Sequence, residues 1–100
     1  MSDLELNDIG IYIIINKFNG KSFIGSTAKS FKEVWDEHKK LLEDNDHPSS
    51  KLQHAWSIYG SKHFEFKILE VVPMEPGVDD EYLDFIKKDY LDILRHEYNI

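Results

Sequence analysis

The sequence contains no cysteine, which excludes disulfide bonds and thiolate metal sites. Only 3 prolines and 5 glycines occur in the 100 residues, and no internal repeat or low-complexity tract is present. No apolar run approaches the roughly 20 residues that a membrane-spanning helix needs. The acidic start, MSDLELND, lacks the basic and apolar regions of a signal peptide. We therefore expect a cytoplasmic protein that does not associate with a membrane.

Basic residues are also scarce, since 12 Lys and Arg stand against 19 Asp and Glu and the net charge is -7. Affinity for a phosphate backbone comes largely from Lys and Arg, which release counterions on binding. The composition therefore disfavours a long nucleic acid as the partner. Solubility alone is an equally good reason for the charge. Net charge does not show how charge is distributed, so a local basic patch remains compatible with it.

The residues that are present predict one folded domain spanning 1–100, because 41% are hydrophobic and 13% aromatic. A β-branched run from Gly10 to Asn16 predicts a first strand, and Ser22 to Ser26 predicts a second. Between them, Asn19 and Gly20 form a strong hairpin signal. A glycine inside the second strand, Gly25, predicts a bulge or a close backbone approach.

Helical spacing dominates the middle of the chain. Ser30 and Glu33 form a capping-box pattern that starts a first helix, which ends in the segment 43–48. A second helix, capped by Ser49 or Ser50, stops at Gly60. A third strand is expected from His63 to Val72 and a last helix from Asp79 to about Arg95. The predicted order of elements is ββααβα.

Several short motifs occur in a specific order along the chain. They are Gly10-Ile11-Tyr12, Phe23-Ile24-Gly25, His38 on the first helix, His47-Pro48-Ser49-Ser50 in the loop, and Tyr98-Asn99-Ile100. From about Ile9 to Ile100 the chain resembles the GIY-YIG nuclease domain, especially its phage homing-endonuclease branch. This resemblance implies an α+β fold, in which a small three-stranded antiparallel sheet is flanked by three helices. It places an active site on the concave face of the sheet.

The resemblance also implies metal-dependent cleavage of phosphodiester bonds. Two motif tyrosines, a helix arginine, a glutamate of the last helix, and His and Asn residues serve that reaction in the family. A base deprotonates water, a divalent cation polarises the phosphate, and the arginine neutralises charge that develops on the phosphoryl group.

Four residues match this pattern. Tyr12 matches the first tyrosine, His38 the helix histidine, His47 the loop histidine and Asn99 the late asparagine. The resemblance therefore implies a ligand pocket formed by these four side chains. Without the resemblance, an aromatic residue in a strand or a lone histidine is more often a packing residue.

Two positions depart from the family pattern. Phe23 replaces the second tyrosine and cannot orient water or transfer a proton, because it has no hydroxyl. Val34 stands where the arginine is expected and carries neither charge nor donor. The segment before Trp35 is one residue longer than in the nearest branch, but a shifted register places Glu33 or Trp35 there instead. Tyr12, Phe23, Val34 and His38 are the positions that match the catalytic site of the family. We expect a site made of these four residues to have little or no nuclease activity.

The metal-binding glutamate has two candidates in the last helix. Counting back from the C-terminal motif selects Asp84, and counting forward from Glu70 selects Glu81. Carboxylate oxygens suit Mg²⁺, so one of them, or neither, is the predicted ligand. The alternative is a solvated acidic helix face.

Three functions remain open at this point. The first is a catalytically degenerate domain that binds a protein partner or a small nucleotide, as an inhibitor or sequestering protein without a cofactor. From Asp79 to Glu97 the chain has seven acidic and three basic residues, a balance of -4 that suits a basic partner. If the protein is phage-encoded, counter-defence in the host cytoplasm is conceivable by analogy. The second is an active endonuclease that requires Mg²⁺, and the third is a structural or oligomerising module.

Overall fold

The computed structural model describes residues 8–99, so predictions that concern residues 1–7 or Ile100 lie outside the described residues. Six main elements follow one another: β1 Ile9–Asn16, β2 Ser22–Thr27, α1 Phe31–Glu43, α2 Ser50–Tyr59, β3 Phe64–Val72 and α3 Asp80–Ile93. Short 3-10 turns occupy Ser61–His63 and Glu97–Asn99. The predicted order ββααβα is confirmed. None of the described helices is both long and apolar enough to cross a membrane.

The three strands form one antiparallel sheet in the order β2-β1-β3. The central strand, β1, is apolar on both faces, as a strand covered on both sides must be. In the register with β2, Tyr12 lies opposite Gly25 and Ile14 opposite Phe23. The pairing with β3 contains an irregularity between Ile11 and Tyr12. The predicted α+β architecture, a three-stranded antiparallel sheet with three helices, is therefore confirmed.

Side chains alternate between the two faces of the sheet. Tyr12 and Ile14 join the core beneath α1 and α2, which we call the α1–α2 face. Ile11, Ile13 and Ile24 pack against α3 on the opposite side, the α3 face. Because alternation in a strand has a period of two, each β1 residue is committed to one of two separate cores.

The predicted helix starts agree with the structure. Ser30 and Glu33 form the complete capping box of α1, and Ser49, rather than Ser50, caps α2 by accepting the Leu52 N–H. Gly60 follows α2 with a φ of 88°, a conformation that favours glycine.

Two predicted boundaries were wrong. His63 belongs to the 3-10 turn before β3, where its N–H donates to the Gly60 carbonyl oxygen. The last helix ends at Ile93 instead of Arg95, because Leu94 is extended. After Leu94, the Arg95 carbonyl oxygen accepts a hydrogen bond from the Ser22 hydroxyl, so the chain turns back to β2.

Gly25 lets the Tyr12 ring lie directly against β2. A Cβ atom added at Gly25 would stand 2.3 Å from both Cζ and Oη of Tyr12. The predicted close approach at this glycine is confirmed, whereas the sheet irregularity occurs in the other strand pair. The absence of a side chain at Gly25 therefore determines where the Tyr12 hydroxyl lies.

We expect Gly25→Ala to lower the free energy of unfolding by about 1–3 kcal/mol, because its methyl group overlaps the Tyr12 ring. Urea unfolding of Gly25→Ala, Tyr12→Ala and the double variant measures the coupling between the two sites. In the Tyr12→Ala background the alanine should cost much less. An equal cost in both backgrounds would show that the ring contact is not the reason.

Candidate functional site

Three side chains on the α1–α2 face form a continuous hydrogen-bonded series, which we call the Tyr–His–His chain. Tyr12 Oη lies 2.6 Å from His38 Nε2. His38 Nδ1 lies 2.7 Å from His47 Nε2, and the two imidazole rings stack with centroids 5.0 Å apart. Three of the four predicted pocket residues are therefore brought together.

Local structure places each member of the chain. His38 follows the buried Phe31 by seven residues on α1, so both side chains point toward the sheet. The loop that carries His47 is fixed by Gln53, whose Oε1 accepts the His47 backbone N–H. The Gln53 amide nitrogen donates to the Leu42 carbonyl oxygen at the end of α1. Gln53 thus joins the loop to both helices.

The direction of the hydrogen bonds follows from one backbone amide. The Ser49 N–H donates to His47 Nδ1 over 3.0 Å, so this nitrogen carries no hydrogen in the neutral ring. The hydrogen of His47 is then on Nε2 and is donated to His38 Nδ1. His38 in turn carries its hydrogen on Nε2 and donates it to Tyr12 Oη. The hydroxyl hydrogen of Tyr12 is therefore not used within the Tyr–His–His chain, and Tyr12 is 3% exposed.

The three side chains of the Tyr–His–His chain are uncharged near pH 7. Burial, followed by the positive charge of protonated His47, lowers the pKa of His38 to about 4. Burial also lowers the pKa of His47. The pKa of Tyr12 is raised, chiefly by burial and secondarily by the Glu37 carboxylate. Protons consequently do not leave or enter these groups readily at neutral pH.

The pKa of His38 predicts a loss of stability in acid. Between pH 6.5 and about 4 the unfolded chain binds a proton at His38 that the folded chain excludes. One pKa unit corresponds to about 1.4 kcal/mol, so the free energy of unfolding should fall by roughly 2–3 kcal/mol across this window. Urea unfolding at a series of pH values measures it.

The variant His38→Gln removes the titrating group, so its stability should depend less on pH in this range. His54→Gln is the matched control, because His54 is exposed on α2. A wild-type stability that stays constant from pH 6.5 to 4 would contradict the assigned burial of a neutral His38.

The hydrogen-bond direction predicts a definite tautomer for each histidine. In ¹⁵N-labelled protein at neutral pH, NMR should show His47 and His38 with hydrogen on Nε2 and bare Nδ1 atoms. The reason is the Ser49 amide, which occupies the acceptor lone pair of His47 Nδ1. Hydrogen on Nδ1 of either ring would reverse the chain and refute the assignment.

Phe23 lies beside both histidines. Its ring centroid is 5.4 Å from that of His38 and 6.0 Å from that of His47, with interplanar angles of 69° and 88°. Edge-to-face packing of this kind stabilises the rings but supplies no donor or acceptor. The position that the resemblance assigns to a tyrosine is therefore filled by apolar packing.

Val34 is half-buried and packs against the core of the α1–α2 face. Valine brings no positive charge to the position that the resemblance assigns to an arginine. Lysines on and near α1 are held by carboxylates: Lys29 by Glu37, Lys32 and Lys39 by Asp36, and Lys40 by Asp44.

The Glu37 carboxylate acts on two members of the Tyr–His–His chain. It raises the pKa of Tyr12 and partly offsets the lowering of the His38 pKa. Its oxygen lies 2.7 Å from Lys29 Nζ in an exposed ion pair. Sequence reasoning missed Glu37, because nothing in its helical spacing distinguishes it from a solvated acidic residue.

Asn99 uses its side-chain amide to hold an edge strand. Its Oδ1 accepts the Ile24 N–H over 2.7 Å, and its Nδ2 donates to the Ile24 carbonyl oxygen over 2.7 Å. The fourth predicted ligand-binding residue therefore binds the β2 backbone, and it does not join the Tyr–His–His chain.

The two predicted metal ligands lie on or near the opposite face. Asp84 accepts a hydrogen bond from the Ser26 hydroxyl over 3.2 Å and pairs with Lys87. Ser26 follows Gly25 in β2 and points to the α3 face. Glu81 is exposed at the start of α3. Across residues 8–99 no three His, Asp or Glu side chains converge as a metal site would require. A Mg²⁺ ion that is held by one carboxylate together with water molecules needs no such cluster.

Two other contacts could not be read from motifs. The ring of Phe66 on β3 stacks on Tyr12 with centroids 5.0 Å apart. The buried Asn16 donates through Nδ2 to the hydroxyl of Tyr98 over 3.2 Å, which joins β1 to the C-terminal turn. Both join residues that are far apart in sequence.

Comparisons with known proteins agree with the motif order. A family model described as the GIY-YIG catalytic domain matches residues 8–90. Intron-associated endonuclease 1 of Enterobacteria phage T4 is 42% identical over 76 residues, which are 76% of this chain and 30% of the relative. The chain thus spans less than a third of that relative.

Two solved structures share the fold. The catalytic domain of the homing endonuclease I-TevI superimposes with a TM-score of 0.70 at 39% identity, covering 92% of this chain and 97% of the other. A mutant of the intron endonuclease I-TevI catalytic domain gives a TM-score of 0.67 at 40% identity and covers 82% of each chain. The predicted fold is confirmed by these structures.

Proposed function

The chain belongs to the GIY-YIG catalytic-domain family, and on that premise we propose that it binds a ligand without cleaving phosphodiester bonds. The observation that carries this proposal is the surroundings of the Tyr–His–His chain. Phe23 and Val34 pack there without a hydroxyl or a positive charge. The polar outline of a site is present, but the groups that stabilise a transition state are absent from it.

The electrostatics favour binding over catalysis. A phosphoryl group that is being transferred needs a cation or several donors aimed at its oxygens. The charge that acts on Tyr12 is the negative charge of the Glu37 carboxylate, which raises the pKa of Tyr12. Lys29, the cation beside it, is already held by Glu37. A developing negative charge would therefore gain little stabilisation here.

The proton inventory supports the same conclusion. His38 Nε2 donates to Tyr12 Oη, so it cannot also accept the tyrosine proton while both rings keep their neutral tautomers. The pKa of His38 is about 4, which makes it a weak base near pH 7. The donor that the Tyr–His–His chain leaves unused is the Tyr12 hydroxyl hydrogen, which suits the oxygen of a ligand that enters this buried site.

The ligand that we propose is a small nucleotide or a protein with a basic surface. A nucleotide phosphate would accept the Tyr12 hydroxyl hydrogen. A protein partner would meet α3, where Tyr82 and Phe85 are 45% and 70% exposed beside the acidic residues of its first turn. Such a surface suits the basic groove of a nucleic-acid enzyme. A phage counter-defence role in host cytoplasm rests on analogy with the phage relative alone.

The second candidate is an active divalent-metal-dependent endonuclease. It is favoured by the assembled Tyr12, His38 and His47, and by relatives that are named as endonucleases. Its metal ligand would be one of the two carboxylates predicted on α3, Glu81 or Asp84, of which Asp84 accepts a hydrogen bond from the Ser26 hydroxyl. Only cleavage itself separates this candidate from the first.

We expect the purified wild-type domain to leave supercoiled plasmid and single-stranded DNA uncut in both Mg²⁺ and Mn²⁺. Phe23→Tyr combined with Val34→Arg restores the missing hydroxyl and cation. Each transition-state donor is worth about 10²–10³ in rate, so the double variant should show measurable nicking on agarose gels.

Tyr12→Phe in the same double variant is the control, because it should abolish any gain while keeping the ring and its contact with Gly25. Wild-type protein that cuts efficiently, and loses that activity on Tyr12→Phe or Glu81→Ala, would establish the endonuclease and overturn the proposal. Far-UV circular dichroism confirms that each variant is folded.

A further inference from the structure

Lysines divide into two groups in the described part of the chain. Six of them have a carboxylate oxygen within 4.0 Å: Lys29, Lys32, Lys39, Lys40, Lys67 and Lys87. Within residues 8–99 no such partner is found for five others: Lys88 on α3, and the four lysines Lys17, Lys21, Lys51 and Lys62. These four lie on the β1–β2 hairpin, on α2 and in the turn after α2, which are brought together by the hydrogen bond from the Lys17 N–H to the His63 carbonyl oxygen and by a cleft that Lys21 and Lys51 both line. The acidic domain therefore has a local basic end.

This basic end contains a cleft of about 520 Å³. Lys21 and Asn19 line it from the hairpin, Lys51 and His54 from α2, and Tyr98 from the C-terminal turn. The hairpin is held in place because the Lys17 N–H donates to the His63 carbonyl oxygen over 2.7 Å. We call this region the hairpin–α2 cleft.

An aromatic platform lies beside the cleft. Phe18, at the tip of the hairpin, is 69% exposed, so burial in the core does not account for its position. Its ring packs against Tyr59, a cleft residue, with centroids 5.1 Å apart, and meets the edge of His63 at 6.0 Å. The two contacts hold an apolar ring in water, where its open side can accept another planar group.

We propose that the hairpin–α2 cleft binds an unpaired nucleic-acid strand. Lys21 and Lys51 would contact the phosphates, and a base would stack on the open side of Phe18. Unpaired cationic side chains beside exposed aromatic rings are the combination that single-stranded nucleic acid requires, because phosphates need charge and every base has a stacking face. Neighbouring Arg95 adds little, since Glu97 pairs with it.

The ligand class follows from size and charge. A base inside a duplex has both faces covered by its neighbours and cannot reach Phe18 without unstacking, which costs a few kcal/mol. The cleft volume accommodates only a short segment, and the acidic remainder of the domain repels a longer one. A footprint of a few nucleotides is expected.

This cleft is distinct from the Tyr–His–His chain. Asn16, at the start of the hairpin turn, lies four positions after Tyr12 on β1, a distance of about 13 Å along a strand. The inference therefore holds whether or not the domain cleaves, and a failure of one proposal leaves the other standing.

Fluorescence anisotropy of a labelled oligothymidylate of about 12 nucleotides, in EDTA and at low salt, tests the inference. Lys21→Ala and Lys51→Ala should each weaken binding several-fold and reduce the slope of log K against log salt by about 0.7. Phe18→Ala should weaken binding roughly tenfold without changing that slope, because stacking releases no counterion. An oligouridylate run in parallel shows whether DNA or RNA is preferred.

Lys88→Ala is the matched control, since Lys88 lies exposed on α3 and likewise has no carboxylate within 4.0 Å among residues 8–99. It should leave both affinity and salt slope essentially unchanged. The inference is overturned if wild-type protein does not bind either oligonucleotide at low salt, or if Lys88→Ala weakens binding as much as Lys51→Ala. It is also overturned if a duplex of equal length binds as tightly and Phe18→Ala has no effect.

Discussion

The contact between Tyr12 and Gly25 is the constraint on which the rest of the site depends. Because β1 is covered on both faces, Tyr12 must point to the α1–α2 face, and the missing side chain at Gly25 leaves room for its ring. The hydroxyl is then held at one place, where His38 reaches it from α1. Substitution at either residue would move the acceptor at the end of the Tyr–His–His chain.

Backbone groups, more than side chains, determine what this site can do. The Ser49 amide selects the tautomer of His47, and through it the direction of both hydrogen bonds. Burial lowers the pKa of both histidines, so the two rings are neutral near pH 7 and His38 is a weak base. Phe23 packs against both histidines and brings neither a donor nor an acceptor to them.

Charge is distributed unevenly over the domain. A negative net charge is therefore compatible with a local surface that binds phosphates. Lysines on and near α1 are paired with carboxylates, while four lysines without such a partner among residues 8–99 lie around the hairpin–α2 cleft and a fifth, Lys88, lies on α3. The opposite side carries α3 with its exposed Tyr82 and Phe85. A domain with net charge -7 can therefore still carry a local basic surface, and it is this surface that we propose as the site for an unpaired nucleic-acid strand.

By itself, the sequence determined the order of elements, the capping box at Ser30 and the close approach at Gly25, because each depends on residues near one another in the chain. The order of the motifs also selected Tyr12, His38 and His47 as candidate site residues, and the structure places these three side chains in one hydrogen-bonded series. Tertiary structure decided what depends on distant contacts: that Asn99 clamps β2, that α3 ends at Ile93, and that Asp84 lies on the face away from Tyr12. The grouping of Lys17, Lys21, Lys51 and Lys62 belongs here too. Spacing along a chain cannot show it, because it arises only when a hairpin and a helix fold together.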